Sequence, residues 1–476
     1  MNYYDLVIVG AGPAGLALAH CCSNLNKKIL IIEREESIGG CHRVKRVNGK
    51  FTEHGPRIYL NNYVNLFHLI SEIGLDKNKV FIPYNFDVYN NKTMYQFTWN
   101  EIRVIISTFI KYLIDNDYGK NINLKTYFIK HNFTHNGLDI IDRVCRIIDG
   151  ATIEKYSVNT LMNMFDSIIG ILQPSNPLDN TLFKPWQQYL SNKNVDFYLN
   201  QELSHINYNK DTNKIDYIIV NDQKIYLDKL VLAIPPASIS NVLEKNKHIK
   251  DCFGDFNKFN DWVKKTEYIE YVSITYHYNE YIKLPIIQGL TFDTDWGLLA
   301  INLSDYMENI EENSKIVISV AITICNKPSK NTGKTANQST AKEIEQEVYR
   351  QLKESLYPNL PDNYNAIINP NNFYKNNKWD TKDDAYFHTI NTHRIPFQSS
   401  IIPNIYNLGS QNGESYIEYT TMECAISNGI SLAIKLYPEL TSKYSIIKYW
   451  KLSDYIYIIL FIILLIMVII MLRYAL

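Results

Sequence analysis

The sequence predicts an α/β protein, a largely parallel sheet with helices on its faces, followed by a C-terminal transmembrane helix. Three observations predict it: a glycine-rich turn between an apolar strand and a helix near the N-terminus, alternation of β-rich and helical patterns along the body, and an uncharged apolar run near the C-terminus. No internal repeat or long low-complexity linker interrupts that alternation.

Taken in order, Asp5-Leu-Val-Ile-Val-Gly10 reads as a buried strand over 5–10, and Leu16–Cys22 belongs to a helix over 13–24. Between them, Gly10-Ala-Gly12-Pro13-Ala14-Gly15 fits G-x-G-x-x-G. In that setting Gly10 permits the tight turn, Gly12 admits a pyrophosphate to the backbone, and Gly15 lets the helix pack closely on the sheet. The N–H groups opening the helix then face phosphates. Lys28–Glu33 is a second strand, and Glu33 falls 23 residues after Gly10, where the acceptor for ribose hydroxyls belongs. This unit is a Rossmann-like dinucleotide-binding domain. Arg34 is available to a 2′-phosphate; the alternatives are a solvated position or one on the adenine side. Further strands are expected at 215–220, 229–234, 268–278, 316–325 and 404–408. Further helices are expected at 62–73, 100–115, 154–171, 340–355 and 420–435, and the polar stretch Asn326–Thr340 reads as an exposed loop.

Tyr455–Leu472 is 18 residues without charge, Gly or Pro, about 27 Å as a helix, which matches a bilayer's hydrocarbon thickness. Trp450, Tyr455 and Tyr457 on one side and Tyr474 on the other suit the interfaces. Lys443, Lys448 and Lys451 precede the run and only Arg473 follows, so the expectation is a single-pass tail anchor with the body facing the cytosol. With 48 Lys+Arg against 49 Asp+Glu there is no global positive field to capture nucleic acid. The seven cysteines are odd in number, scattered and never spaced C-x-x-C, so reduced thiols are expected, not a disulfide framework or a metal site. The abundance of Tyr, 36 in all, together with Asn, Ile and Lys, reflects A/T-rich codon choice and carries no function.

After Glu33 come Gly39-Gly40-Cys-His-Arg43 and Phe51-Thr-Glu-His-Gly55-Pro56-Arg57. Here the chain resembles the flavin-containing amine oxidase, protoporphyrinogen oxidase and phytoene desaturase superfamily. Two later blocks support the resemblance: Leu203-Ser-His-Ile206 with Val231-Leu-Ala-Ile-Pro235-Pro236, and Gly409-Ser410 with Met422-Glu423-Cys424-Ala425 through Gly429. The resemblance implies bound FAD. A helix opening near Thr421–Ile426 would aim its positive end at the flavin N1/O2 edge and stabilise the reduced anion. Glu423 either caps that turn or meets a ribityl hydroxyl. Arg57 is the candidate catalytic residue, a polar group over the flavin ring; a structural ion-pairing role is the alternative. His54, His388 and His393 are candidate bases, and Tyr268, Tyr271 and Tyr276 candidate pocket residues.

Departures from the family pattern are informative. Ser410 replaces the usual acidic residue, and Cys41 stands where the glycine turn has its Arg, with Arg43 as substitute. No Cys lies between Cys325 and Cys424, so the flavin is expected to be noncovalent. Thr421 replaces one cage tyrosine, and the strand 270–278 lacks a lysine beside flavin N5, which disfavours simple amine oxidation. No second G-x-G-x-x-G exists among the 19 glycines, so no separate NADPH domain is expected.

The resemblance implies a discontinuous FAD-binding domain from residues 1–85, 195–240 and 395–440. It is interleaved with an α+β substrate domain from 86–194 and 241–394, and followed by a linker over 441–454. The expected function is a membrane-anchored FAD-dependent oxidoreductase whose flavin accepts hydride from an apolar or amphipathic small molecule, with membrane lipid as a further partner. A UDP-galactopyranose mutase-like, non-redox flavoenzyme and a noncatalytic membrane-tethered flavoprotein are the alternatives.

Overall fold

The computed structural model describes residues 2–84, 97–148, 151–167, 170–265, 271–284, 294–310, 313–382, 395–413, 415, 417 and 419–475. Tyr268, His388 and His393 lie outside them. A seven-stranded sheet runs in the order Val195–Tyr198, Ile29–Ile32, Tyr3–Val9, Gln223–Leu232, Lys214–Val220, Leu203–Asn209. The long strand Gln223–Leu232 splits its pairing: its first residues pair antiparallel with Lys214–Val220, and Leu230–Leu232 pair parallel with Ile405–Asn407. The sheet thus collects strands from the start, middle and end of the chain.

Both faces of this sheet are buried, so its first strand is apolar throughout and its alternate residues serve different cores. Leu6 and Ile8, with Ile29 and Ile31, meet the helices Pro13–Cys22 and Met422–Leu436. Val7 and Val9, with Leu30 and Ile32, join Ile206, Ile218, Ile239 and Leu243 on the other face. Two glycines set the helix spacing. A Cβ on Gly15 would sit 2.2 Å from the Gly10 carbonyl oxygen, and one on Gly429 would sit 2.6 Å from that of Ala14. Strand-to-helix and helix-to-helix contact are therefore both made at backbone distance.

A second, antiparallel sheet has the order Leu298–Asn302, Ile316–Ile322, Val272–Tyr278, Asn365–Ile368. Ile274, Tyr276 and Tyr278 pack under the helix Ala341–Ser355 through Ile344, Val348 and Leu352. The intervening Ser273, Thr275 and His277 meet the segment 51–54: His277 Nε2 lies 2.9 Å from the Phe51 carbonyl, the Thr275 and Thr52 hydroxyls are 3.2 Å apart, and Ser273 donates to the His54 carbonyl. The period-2 alternation of one strand thereby fastens the second sheet to the glycine-rich layer. A third group of helices, including Trp99–Ile114, Leu124–Lys130 and Val158–Ser167, has its own core. Thr98 and Glu101 form a capping box at the start of the first.

All six expected helices and all seven expected strands are present, with displaced ends. The helix expected over 154–171 is shorter, Val158–Ser167, because the chain turns at Gly170 (φ 65°) into the strand Ile171–Pro174. The stretch Asn326–Thr340 is not simply exposed. Ser329 is buried and donates to Glu347, which also receives Asn331, Arg350 and Gln351.

The C-terminal expectations need correction. Among the described residues no helix is long and apolar enough to cross a membrane. The uncharged run lies in the helix Leu452–Ala475. Its first turns are also held by the protein, since Ser453 donates its N–H (2.6 Å) and hydroxyl (2.8 Å) to buried Asp166 and Tyr457 donates to the Leu113 carbonyl. The tail anchor and the cytosol-facing placement derived from it fall with this finding.

Residues 441–454, expected as a linker, are bolted down as well. Lys443 (3.0 Å) and Tyr444 (2.8 Å) donate to Glu72, and Ile447 exchanges hydrogen bonds with Asn65 at 2.9 Å each way. Burial raises the Glu72 pKa, but the donors His20, Lys443 and Tyr444 outweigh it and bring it from 4.5 to about 2. Burial also lowers the pKa of His20, which is neutral as it donates to Glu72 at 3.0 Å. Both folded pKa values lie below the unfolded ones, so this attachment is complete above pH 6.5 and is lost on acidification, most steeply as pH falls from 4.5 towards 2. Amide exchange at 443–447 is expected to accelerate over that window before the sheet core opens; simultaneous opening refutes the assignment.

Candidate active site

The first strand ends at Gly10, whose φ of 109° and 2.3 Å approach of a would-be Cβ to the Ala233 carbonyl admit only glycine. Gly12 then precedes the helix with no side-chain cap, and Pro13 occupies the first helical position, where its missing N–H costs nothing. The first-turn amides are therefore left for a ligand. A Cβ on Gly12 would have the Gly40 Cα 3.8 Å away as its nearest neighbour, so the protein leaves open the space that glycine preserves. Gly40 (φ 58°) faces Gly12 closely, and Gly39 (φ 117°) donates its N–H to the Ala11 carbonyl at 2.9 Å. Glycine turns from two segments thus form one cradle.

Glu33 is buried at the end of the second strand. Its Oε2 accepts the Ala11 N–H at 2.9 Å and its Oε1 the Glu35 N–H at 3.0 Å, which fixes the carboxylate beside the cradle. Arg43 lies 3.4 Å from Oε1 and donates Nε to the Ser37 carbonyl at 2.7 Å, so it braces Glu33 and the following loop. Arg34 instead reaches the Lys382 carbonyl and lies 3.9 Å from Glu35 on the surface. The Leu203 side chain is core.

At the other end, Thr421 caps the helix Met422–Leu436 by accepting the Cys424 N–H at 3.1 Å. This helix crosses the first helix at Gly429, which brings the two N-termini onto one side of the sheet. Glu423 faces the protein: fully buried, it accepts Asn65 N–H (2.8 Å), Asn65 Nδ2 (2.7 Å) and Leu66 N–H (3.0 Å), capping the helix Val64–Glu72. Its expected choice between its own turn and a ribityl hydroxyl is replaced by this third role. Cys424 is buried beside Asn428, and Asn428 donates to the Gly409 carbonyl at 2.7 Å. Gly409 itself donates to Asn412 at 2.9 Å, leading into the turn Ser410–Asn412. Ala425 is half-buried on the same helix.

Between the cradle and the second sheet lies a polar cluster. Arg57, after the Gly55-Pro56 turn, is half-buried and donates to the Cys41 carbonyl; its own carbonyl accepts Gln173 Nε2 at 2.6 Å. Tyr306 donates to Gln173 at 3.2 Å, and the Tyr59 hydroxyl is 3.1 Å from His42 Nδ1. Buried Glu53 lies beside them. Burial raises its pKa to about 7 despite Arg57 and a hydrogen bond from Ser319. Burial, with Arg57 and His54, pushes His42 well below its usual range, so it is neutral. Burial alone raises Asp305 to about 6, and it raises Tyr59 and Tyr306.

The sequence reading reached Arg57 but missed Glu53, Gln173 and Tyr306. Glu53 lies within the same motif, and its burial depends on a sheet hundreds of residues away. Tyr276 is a core residue donating to the Glu345 carbonyl at 2.6 Å, and Tyr271 donates to the Arg146 carbonyl, so neither hydroxyl is offered to a pocket.

Comparison with known proteins agrees with this geometry. Residues 8–73 match the NAD(P)-binding Rossmann-like domain family. The UDP-galactopyranose mutase of Mycoplasma genitalium is 38% identical over 76 residues, 15% of this chain and 18% of that protein. The putrescine oxidase of Kocuria rosea is 35% identical over 72 residues, 15% of each. These matches thus span less than a fifth of either relative. A crystal structure of an oxidoreductase from Methanosarcina mazei superposes with a TM-score of 0.65 at 14% identity, covering 90% of this chain and 99% of that one. Putrescine oxidase bound to putrescine (TM-score 0.64, 13% identity, 92% and 99% covered) and a protoporphyrinogen oxidase-like protein from Exiguobacterium (0.58, 14%, 91% and 99%) share the fold. The chain therefore shares the fold of these oxidases over about nine-tenths of its length.

Proposed function

We propose that this protein is an FAD-dependent oxidoreductase acting on a small molecule, with the flavin held noncovalently. The observation that carries the proposal is the double cradle: an uncapped helix start behind Gly12, faced by Gly40, with a second helix start at Thr421–Met422 on the same side of the sheet. These residues fit a dinucleotide. Gly10, Gly12, Pro13, Ala14 and Gly15, with Gly39 and Gly40, surround the pyrophosphate. Glu33, braced by Arg43, accepts from the adenosine ribose, and the backbone at Leu203 borders the adenosine half. Gly409, Ser410, Cys424 and Ala425, with Gly55 and Pro56, border the flavin end. The flavin supplies the two-electron acceptor. The chain's residues would bind and orient it: the helix start at Thr421–Met422 would bring its positive end to the ring, and Arg57 would bring a cation to the same site. Arg34 and Glu423 are left out of this assignment because protein partners occupy them.

Purified protein is expected to carry the visible spectrum of oxidised flavin and to release FAD on denaturation. A colourless, fully folded protein refutes the proposal. The mutase match favours one other reading, a non-redox rearrangement of a UDP-sugar. Calorimetric binding of UDP-galactose, with no substrate-dependent bleaching of the flavin under anaerobic conditions, would select it.

A further inference from the structure

We propose that the turn Asp179–Phe183 is a latch that retains the cofactor, with Phe183 as the positioning residue for Gly39 and the Arg46–Asp179 ion pair as its fastening. The inference rests on the flavoprotein reading and adds the regulation of cofactor exchange at the same site. Its basis is where one stretch of chain is brought. After Gly170 the strand Ile171–Pro174 carries Gln173 to the Arg57 carbonyl, and the same stretch ends with Phe183 against Gly39. A Cβ on Gly39 would sit 3.0 to 3.2 Å from three carbons of the Phe183 ring. That ring is buried in one core with Leu182 and Trp186, so it offers Gly39 a fixed surface. Gly39 in turn donates to the Ala11 carbonyl, and Gly40 lies against Gly12 and Pro13. Phe183 thus acts on the cradle through Gly39.

The local sequence explains how Phe183 is presented. Asp179–Phe183 is a π-helical turn, closed by the Lys184 N–H on the Asp179 carbonyl, and it runs directly into the helix Lys184–Ser191. Pro185 has no N–H for the Thr181 carbonyl, so regular helical pairing cannot run through this junction. The turn is fastened at its first residue, where Arg46 reaches both carboxylate oxygens of Asp179, the second at 3.4 Å. Arg46 lies on the strand Lys45–Val47, just beyond the loop that Arg43 closes onto the Ser37 carbonyl. One turn therefore grips the glycine loop twice, at Gly39 and at Arg46. Both partners of the ion pair are partly exposed, so the pair adds little to global stability but can set how often the loop opens. A loop held closed in advance costs less to order when a ligand binds and releases it more slowly.

The test uses the flavin-loaded full-length protein and follows release of FAD by flavin fluorescence after dilution, with the melting temperature and the amide exchange of residues 39–43 measured on the apoprotein alongside. Asp179→Asn and Arg46→Gln are each expected to speed release about three- to fivefold with the melting temperature unchanged. Phe183→Leu, which refills the core without the ring, is expected to speed release about fivefold or more and to raise exchange at 39–43. The exchanged pair, Arg46→Asp with Asp179→Arg, is expected to return release to within about twofold of wild type, a rescue that a general loss of packing would not show. Release at the wild-type rate in Phe183→Leu or in Asp179→Asn, or no rescue by the exchanged pair, overturns the proposal. Wild-type protein purified without flavin overturns the assignment beneath it instead.

Discussion

Gly12→Asp is expected to yield a folded protein with no flavin, whereas Gly15→Val is expected to yield little folded protein at all. The two glycines lie three residues apart in one motif, but they face different things. Gly12 has ordinary helix-entry backbone angles (φ −76°, ψ 174°), and a Cβ there meets nothing closer than 3.8 Å. A side chain at this position therefore occupies the space proposed for the pyrophosphate, and a carboxylate would add like-charge repulsion against it. At Gly15 the new Cβ would sit 2.2 Å from the Gly10 carbonyl and 3.2 Å from Ile8, within the strand–helix contact of the first core. Overpacking of backbone against backbone has no rotamer to relieve it, and a cost of several kcal/mol is expected. Flavin content, circular dichroism and thermal melts on both variants separate the outcomes. A Gly12→Asp protein that retains stoichiometric FAD would place the pyrophosphate elsewhere.

Glu423→Ala is expected to destabilise the protein by about 3–5 kcal/mol and to loosen the helix Val64–Glu72 before the seven-stranded sheet. The carboxylate is fully buried and accepts three hydrogen bonds from Asn65 and Leu66, so truncation leaves buried donors without acceptors. Glu423→Gln keeps one good acceptor and is expected to cost less than half as much. Denaturant melts and amide exchange at 65–72 provide the measurement. Equal stability of Glu423→Ala and wild type would mean that this cap is not needed.

What was legible in the sequence is local. The glycine turn, the carboxylate ending the second strand and the apolar strands read correctly because each is specified by a few adjacent residues and one periodicity. Arg57 was accessible through its motif. Glu53 was not, because its environment is built by Ser319 and by Ser273, Thr275 and His277 fastening the second sheet onto 51–54. Glu423 was misassigned for the same reason: its partner helix begins some 358 positions earlier in the chain. The C-terminal run was read by composition alone, which does not show the Asp166 and Asn65 contacts at its base.

Asn65 stands at a junction whose use reaches beyond its hydrogen bonds. Its amide nitrogen serves Glu423 and the Ile447 carbonyl, and its amide oxygen receives the Ile447 N–H. One side chain thereby links the helix whose start faces the proposed flavin to the segment returning from the far end of the chain. Any coupling free energy carried by this junction acts equally in both directions, so a ligand that tightens the Met422 end is expected to raise the protection of Ile447, and a chain cut before Lys443 is expected to hold the proposed cofactor less tightly although no atom removed lies in the cradle.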